Sequence, residues 1–463
     1  MRHRTRSLLV SLTLASAIAS AQTTPTALAP PPDLLKEISN RPKLALSNFE
    51  GFALNSNPTL RQSRTLVSES ASRAAQAALL PNPTVGYQGE HIRGGSYGGG
   101  EQGAFIQQDI VLGGKLALRR DIYEQQRRAD EIGSAEQRSR VAGGVAQAFY
   151  SALAAQETVV VRRHLLDLAF NAVQTAHQLA NVGQADAPDV LQAEVEAVQA
   201  SADYTAAQRQ YIAQFHGLSS ASGNPALPLS ALDGTLENPP AVDAGGIVES
   251  ILRDSPSLKR AQQDILRAEA EWKAAKREKV PDLQLRGGLE QSGELLAGGL
   301  PSGGLPARTV GLQGFATVGV TLPIFNRNQG NVAAAEASLE RARAEVSRLQ
   351  LSLRQTADQL VQTYLTRAAE ASLYRDQMIP RATRAYKLYL DKYGQMAAAY
   401  PQVLVSQRTL FQLQVGYVSV LENLWTASVA LQNYTLAGAL NAPASGGSAL
   451  INVNAPAASR ASQ

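Results

Sequence analysis

Few residues of this 463-residue chain are placed to do chemistry. The five histidines, His3, His91, His164, His177 and His216, show no spacing with acids or with one another that would specify a zinc site. Gly113-Gly114-Lys115 lacks both the earlier glycine and the Ser/Thr of a phosphate-binding loop, and it marks a strand-to-helix junction instead. There is no cysteine, so a thiol nucleophile, a disulfide and a lipidated N-terminal cysteine are all ruled out. An enzyme is therefore not expected, and neither a cofactor nor a structural metal is called for.

The elements that would position a site point elsewhere. Arg2, Arg4 and Arg6, an apolar run from Leu8 to Ile18 and Ala19-Ser20-Ala21 form the pattern of a secretory signal, so residues 1–21 are expected to be removed on export. The run is too short for a membrane anchor, which needs about 20 apolar residues. Removing those three arginines and no acid from 43 bases and 39 acids leaves a mature charge of +1, which supports no nucleic-acid partner. No later segment is apolar for long enough to form a transmembrane helix, so the chain spans a membrane as part of a β-barrel or not at all.

Two halves carry the same parts in the same order. Asn57-Pro58-Thr59-Leu60, a helical stretch, Leu80-Pro81-Asn82-Pro83 and a β-like segment recur as Ser255-Pro256-Ser257-Leu258, a helical stretch, Val280-Pro281-Asp282-Leu283 and a β-like segment. Each leading proline suits a first helical turn with a polar cap before it, and each later proline stops that helix. Asn181-Val182-Gly183-Gln184 is echoed by Lys392-Tyr393-Gly394-Gln395. Gly223-Asn224-Pro225 through Pro239-Pro240 reads as the connector. The expected division is a flexible segment over 22–44, a first repeat over 45–240, a second over 241–441 and a disordered tail over 442–463.

The spacing predicts β-hairpins at about 84–112 and 282–324. Leu283, Leu285 and Leu289 alternate with Gln284, Arg286 and Glu290, and from 310 to 322 the even positions are apolar or glycine. The strands are long enough for the about 9–11 residues that a tilted span of hydrocarbon needs. A soluble hairpin packed on one face has the same pattern. Four strands cannot close, because the smallest closed barrels need about 8, so strands in a membrane would require several copies. From Lys115 to Asn181 and from Asn331 to Tyr393 the only proline is Pro380, giving helices on the order of 90–100 Å at about 1.5 Å per residue. Ala335/Leu339, Ala342/Val346, Leu349/Leu353 and Thr356/Leu360 keep coiled-coil spacing. Helical hairpins are expected at about 115–220 and 330–440, with Gly133, Gly143 and Gly144 weakening the first long helix.

These pieces, NPTL at 57–60, LLPNP at 79–83, QQDIVLGGK at 107–115, VGQADAPDVLQAE at 182–194, KVPDLQL at 279–285 and GVTLPIFNRNQG at 319–330, resemble the TolC-like outer-membrane factor family over nearly all of the mature chain. The last block looks most like the branch serving heavy-metal pumps of the resistance-nodulation-division class. The resemblance implies a mainly α fold with transmembrane β, in which a homotrimer builds a 12-stranded outer-membrane β-barrel above a periplasmic α-barrel. It implies a passive efflux duct among outer-membrane lipids, served by a periplasmic adaptor and an inner-membrane pump. Carried onto this chain, the adaptor-contacting tips are Val182, Gly183, Gln184, Tyr393, Gly394 and Gln395. Asp189 falls where the family often has an acid before Val-Leu, and a ring of Asp189 would attract cations. A plain helix-start role for Asp189 after Pro188 has equal standing. The second half has Gln402 there, two residues farther from its glycine, so the gate is expected to be acidic in one repeat and neutral in the other. The rival expectation is a soluble periplasmic adaptor or coiled-coil structural protein, although such adaptors usually carry one hairpin rather than two.

Overall fold

The computed structural model describes residues 31–90, 92, 97–296, 308–395 and 397–444. The expected signal sequence, the glycine-rich loop at 297–304 and residues 445–463 of the expected tail lie outside the described residues. In chain order, α1 (Leu34–Glu37), β1 (Leu44–Ala45), α2 (Leu46–Ser56) and α3 (Pro58–Ala77) lead to β2 (Thr84–Glu90) and β3 (Tyr97–Ile110), followed by α4 (Lys115–Asn181) and α5 (Ala187–Ala221). After β4 (Leu232–Asp233) the pattern returns as α6 (Ile247–Asp254), α7 (Pro256–Arg277), β5 (Leu283–Leu296), β6 (Arg308–Val320), α8 (Gln329–Leu373), a π turn (Tyr374–Met378), α9 (Ile379–Gly394) and α10 (Tyr400–Gln432).

Local chemistry explains most of these boundaries. Pro58 is the first residue of α3, and the Asn57 carboxamide accepts from the Thr59 N–H at 2.9 Å. Pro256 opens α7 in the same way, but Ser255 makes no side-chain cap; its buried hydroxyl has no partner among the described residues. Gly113 and Gly114 take φ of 72° and 71°, turning the chain from β3 into α4. Lys115, only 4% exposed, is held there by Asp282 at 3.0 Å, whose carboxylate also accepts from the Leu112 N–H.

The 67 residues of α4 run unbroken through Gly133, Gly143 and Gly144, the glycines expected to weaken it. A Cβ on Gly143 would lie 2.7 Å from the Leu436 carbonyl oxygen, and one on Gly144 would lie 2.4 Å from the Ala439 nitrogen. These two glycines let the chain after α10 lie directly on α4. That contact offsets a propensity cost of about 1 kcal/mol each. In the second long stretch the Ile379 N–H bonds to the Tyr374 carbonyl five residues back, and this wider turn accommodates the missing donor and ring of Pro380. Ala335, Leu339, Leu353, Ala357, Val361 and Tyr364 form its buried stripe. Thr356 is exposed and donates to Ser352 O, so Ala357 takes the packing position expected of it.

Helices α3, α4, α7 and α8 pack side by side in that order where they adjoin the sheet, and α5, α4, α10 and α9 do so in the far half. The end of α5 abuts the start of α3: Asn57 donates to the Ala221 carbonyl at 3.0 Å and to that of Ala439 at 3.1 Å. At the waist, where the halves meet, Phe49, Phe149 and Phe215 form the core with ring centroids 6.0–6.2 Å apart. The part of 22–44 among the described residues packs on the helices: Ile38 is buried, Gln208 donates to Pro32 O at 2.7 Å, and Tyr204 donates to Asp33 at 3.1 Å. Both of these hydrogen-bond partners lie more than a hundred residues away in sequence.

Strands β2, β3, β5 and β6 form one antiparallel sheet in that order, leaving β2 and β6 as edges. The register sets Tyr87, Ala104, Leu289 and Gly314 in one row and Val85, Ile106, Gly287 and Ala316 in the next. The second hairpin ends at Val320, short of the expected 324.

Candidate functional site

Two regions remain to be satisfied by something outside the chain: the sheet and the tips of the helical hairpins. On one sheet face Val85, Tyr87, Leu289, Leu312 and Val318 are all at least 60% exposed. A broad apolar face of this kind, alternating with a polar one, suits lipid outside and water inside. The opposite face carries Gln107, Arg286 and Thr317 in one row and Glu290 and Gln313 in another. There Phe105 and Phe315 cover Gly86 and Gly288, and the Arg286 guanidinium sits 3.9 Å from the Phe105 ring centroid.

Both tips are closed by the same hydrogen-bond pattern. Gly183, with φ of 74°, donates to Ala180 O at 3.0 Å, and Gln184 N–H reaches back to Leu179 O at 2.8 Å, a glycine-terminated helix end. In the second hairpin the corresponding bond runs from Ala397 N–H to Lys392 O, also at 2.8 Å. Val182 therefore corresponds to Gln395, not to Tyr393 as the shared glycine suggested, because α9 continues through Gly394 and absorbs the two extra residues. On this register Pro188 matches Pro401, and Asp189 matches Gln402. Each of the latter two is the third helical residue, its N–H bonded to the carbonyl of Asp186 or Ala399.

Val182, Gly183, Gln184, Gly394 and Gln395 are exposed at the tips. Tyr393 is not. Its ring packs on Tyr400 with centroids 5.5 Å apart in a cluster with Tyr386, Ala176, Ala193 and Val403. The hydroxyls of Tyr393 and Tyr400 are buried and find no hydrogen-bond partner among the described residues. Burial, then the Asp189 charge, raises the Tyr393 phenol above its usual value; burial, followed by Glu196, pushes Tyr400 up to about 12. Both phenols stay neutral, and the half-exposed Asp189 carboxylate near them has no ion pair among the described residues. Arg408 pairs with Glu196, joining α10 to α5, and His177 meets Glu194 at 3.1 Å between α4 and α5. Asp189 and Gln402 were legible in the sequence but the tyrosine cluster was not; the seven-residue spacing of Tyr386, Tyr393 and Tyr400 was the available signal.

Among the described residues no group of three or more His, Asp and Glu stands close enough to hold a metal ion, and no helix is long and apolar enough to cross a membrane.

Comparison with known proteins agrees. The chain is 25% identical over 388 residues to the cobalt-zinc-cadmium resistance protein CzcC of Cupriavidus metallidurans, covering 84% of this chain and 89% of that one. It is 28% identical over 398 residues to the probable efflux pump outer membrane protein SepC of Pseudomonas putida, covering 82% and 80%. Its fold matches the crystal structure of CusC with a TM-score of 0.70 at 16% identity, over 85% of this chain and 92% of that chain. The family described as outer membrane efflux protein matches residues 52–224 and 247–436, one segment for each half and a gap at the connector. Such proteins serve tripartite efflux systems with an adaptor and an inner-membrane pump. A soluble adaptor is thereby set aside, and the chain belongs to the outer membrane efflux protein family, as an efflux channel of the outer membrane that extends into the periplasm.

Proposed function

We propose that three copies of this chain join head to tail into one duct, a 12-stranded barrel continued by an α-barrel, through which a partner pump of the resistance-nodulation-division type expels metal ions. The observation that carries the closure is that every layer is open in the same sense. The sheet leaves β2 and β6, the near helical layer leaves α3 and α8, and the far layer leaves α5 and α9. In each pair one edge comes from the first repeat and the other from the second. Unpaired strand edges and a four-stranded sheet facing lipid must be closed by other copies. The number three rests on the family, and the metal cargo on the name of CzcC.

Val182, Gly183, Gln184, Gly394 and Gln395 would meet the periplasmic adaptor. Asp189 and Gln402 would alternate around the closed tip, making an acidic ring that favours cations. The test is reconstitution of the full chain in planar bilayers. Discrete conductance steps are expected, with a lower cation-to-anion permeability ratio for Asp189→Asn. Protein that stays monomeric and soluble without detergent, and conducts nothing, overturns the duct. Unchanged selectivity in the variant removes Asp189 from the gate and leaves the duct standing.

A further inference from the structure

We infer that the loop between β6 and α8 clasps the next copy of this chain, seating Ile324 and Phe325 on that copy's Leu79 and Leu80, in the loop between α3 and β2. The inference rests on the ring proposed above and adds an apolar lock at the level where sheet passes into helices.

The seam between repeats can be read within one chain. Where β3 passes into α4, it meets the passage from α7 into β5. Lys115 pairs with Asp282 at 3.0 Å and lies 3.8 Å from Glu278, Arg119 pairs with Glu278 at 3.0 Å, and the Arg277 guanidinium donates to Gly113 O at 2.8 Å. A Cβ on Gly113 would lie 2.9 Å from Val280. In a head-to-tail ring of duplicated chains the same encounter recurs between copies, the β6–α8 passage of one against the α3–β2 passage of the next.

The residues at that second seam differ in kind. Helices α3 and α7 end at Ala77 and Arg277, so Ala78, Leu80 and Asn82 stand where Glu278, Val280 and Asp282 do. Helices α4 and α8 both start after a left-handed residue, Gly114 and Asn328, so Gln329 and Ala333 take the places of Lys115 and Arg119. Each acid and base of the inner ion pairs is thus replaced by a neutral residue. No Asp, Glu, Lys or Arg lies between Arg73 and Glu90, or between Arg308 and Arg327. What the two passages offer each other is apolar area. Leu79 and Leu80 are 59 and 62% exposed, Ile324 is 60% exposed, and Phe325, at 92%, is the most exposed large hydrophobic among the described residues.

The loop is built to hold that ring out. It runs for eight residues, 321–328, against four, 111–114, at the inner seam, although Val320 and Ile110 stand in one row of the sheet. The Asn328 carboxamide donates to Ala275 O at 2.8 Å and the Asn328 N–H to Asn326 at 3.0 Å; Arg327 donates to Gln329 at 2.9 Å and to Ile324 O at 3.3 Å. An aromatic ring fixed just past the unpaired β6 edge matches the apolar loop that leads into the unpaired β2 edge of the next copy.

The absence of cysteine makes the test direct. Full-length L80C/F325C, treated with a short bis-maleimide in isolated outer membranes, is expected to run mostly as covalent dimers and trimers on a denaturing gel. Either single variant alone is expected to stay monomeric there, and the two coexpressed to stop at the dimer. If the double variant gives no covalent species while the detergent-solubilised protein sediments as a trimer, Phe325 faces lipid or another protein; the clasp is then wrong and the ring stands. A monomer removes both. Phe325→Asp is expected to lower the trimer recovered from outer membranes several-fold, and Phe325→Leu, which keeps the apolar contact, to leave it near the parent level. Equal recovery of the two variants overturns the clasp.

Discussion

Glu157 is a carboxylate placed at a disadvantage. It lines a cavity of about 270 Å³ at the waist with Glu237, Tyr417, Gln414 and Thr235, and burial, then the nearby Glu237 charge, raises its pKa. Glu237 is spoken for by the Tyr417 hydroxyl at 2.7 Å, so relief falls to protonation of Glu157. A carboxyl whose folded pKa exceeds its unfolded one supports the fold fully below the unfolded value and loses that support as pH rises through the folded value. The waist is therefore expected to be firmer at mildly acidic pH than at neutral pH. Glu157→Gln should raise the thermal midpoint at pH 7, by on the order of 1–3 °C for a chain of this size, and flatten its dependence between about pH 4.5 and 7. Thermal unfolding in detergent across that range is the measurement, and a variant with the parent's slope would contradict it.

Among the elements, α4 is the one on which α3, α5, α7 and α10 all pack, and Gly143 and Gly144 are contact points. Because a Cβ on Gly144 would fall 2.4 Å from a backbone nitrogen, no flexible side chain can yield to it. Gly144→Val is expected to cost about 1–3 kcal/mol and to lift the segment around Leu436–Asn441 from α4. That segment also holds the carbonyls that Asn57 and Gln137 bond, so the start of α3 should loosen with it. Faster amide exchange at both places, with the sheet unchanged, is the expected pattern. The π turn is the opposite case, a break in α8–α9 that Pro380 imposes and the wider turn absorbs.

For the whole molecule, solvent changes along the length. Leu289, at the centre of the apolar sheet face, is 60% exposed in one chain and would meet lipid in the barrel. Leu289→Arg should cost about 2–4 kcal/mol near the bilayer midplane. It is expected to cut the amount of channel recovered in outer membranes several-fold, whereas Thr317→Arg on the other face should leave it near the parent level. Equal recovery of the two variants would argue against this orientation of the sheet.

The sequence by itself determined the duplication, the faces of the strands, the long helices and the strand-to-helix turn at Gly113-Gly114, because each is written in short-range spacing, proline and glycine placement or period. It also offered Asp189 as a helix-start residue after Pro188; that Gln402 holds the same place in its own helix came from the structure. It could not register the two tips, because the shared glycine matched a turn residue in one hairpin to a helical residue in the other, and only the backbone hydrogen bonds distinguish them. Nor could it show that Ala176 and Ala193 help bury Tyr393 or that Gly143 and Gly144 are contacts, since those partners are hundreds of residues away. Tertiary structure decided those, and the order of strands and helices as well, because burial and edge exposure depend on what lies alongside in space, and pattern along the chain does not carry that information.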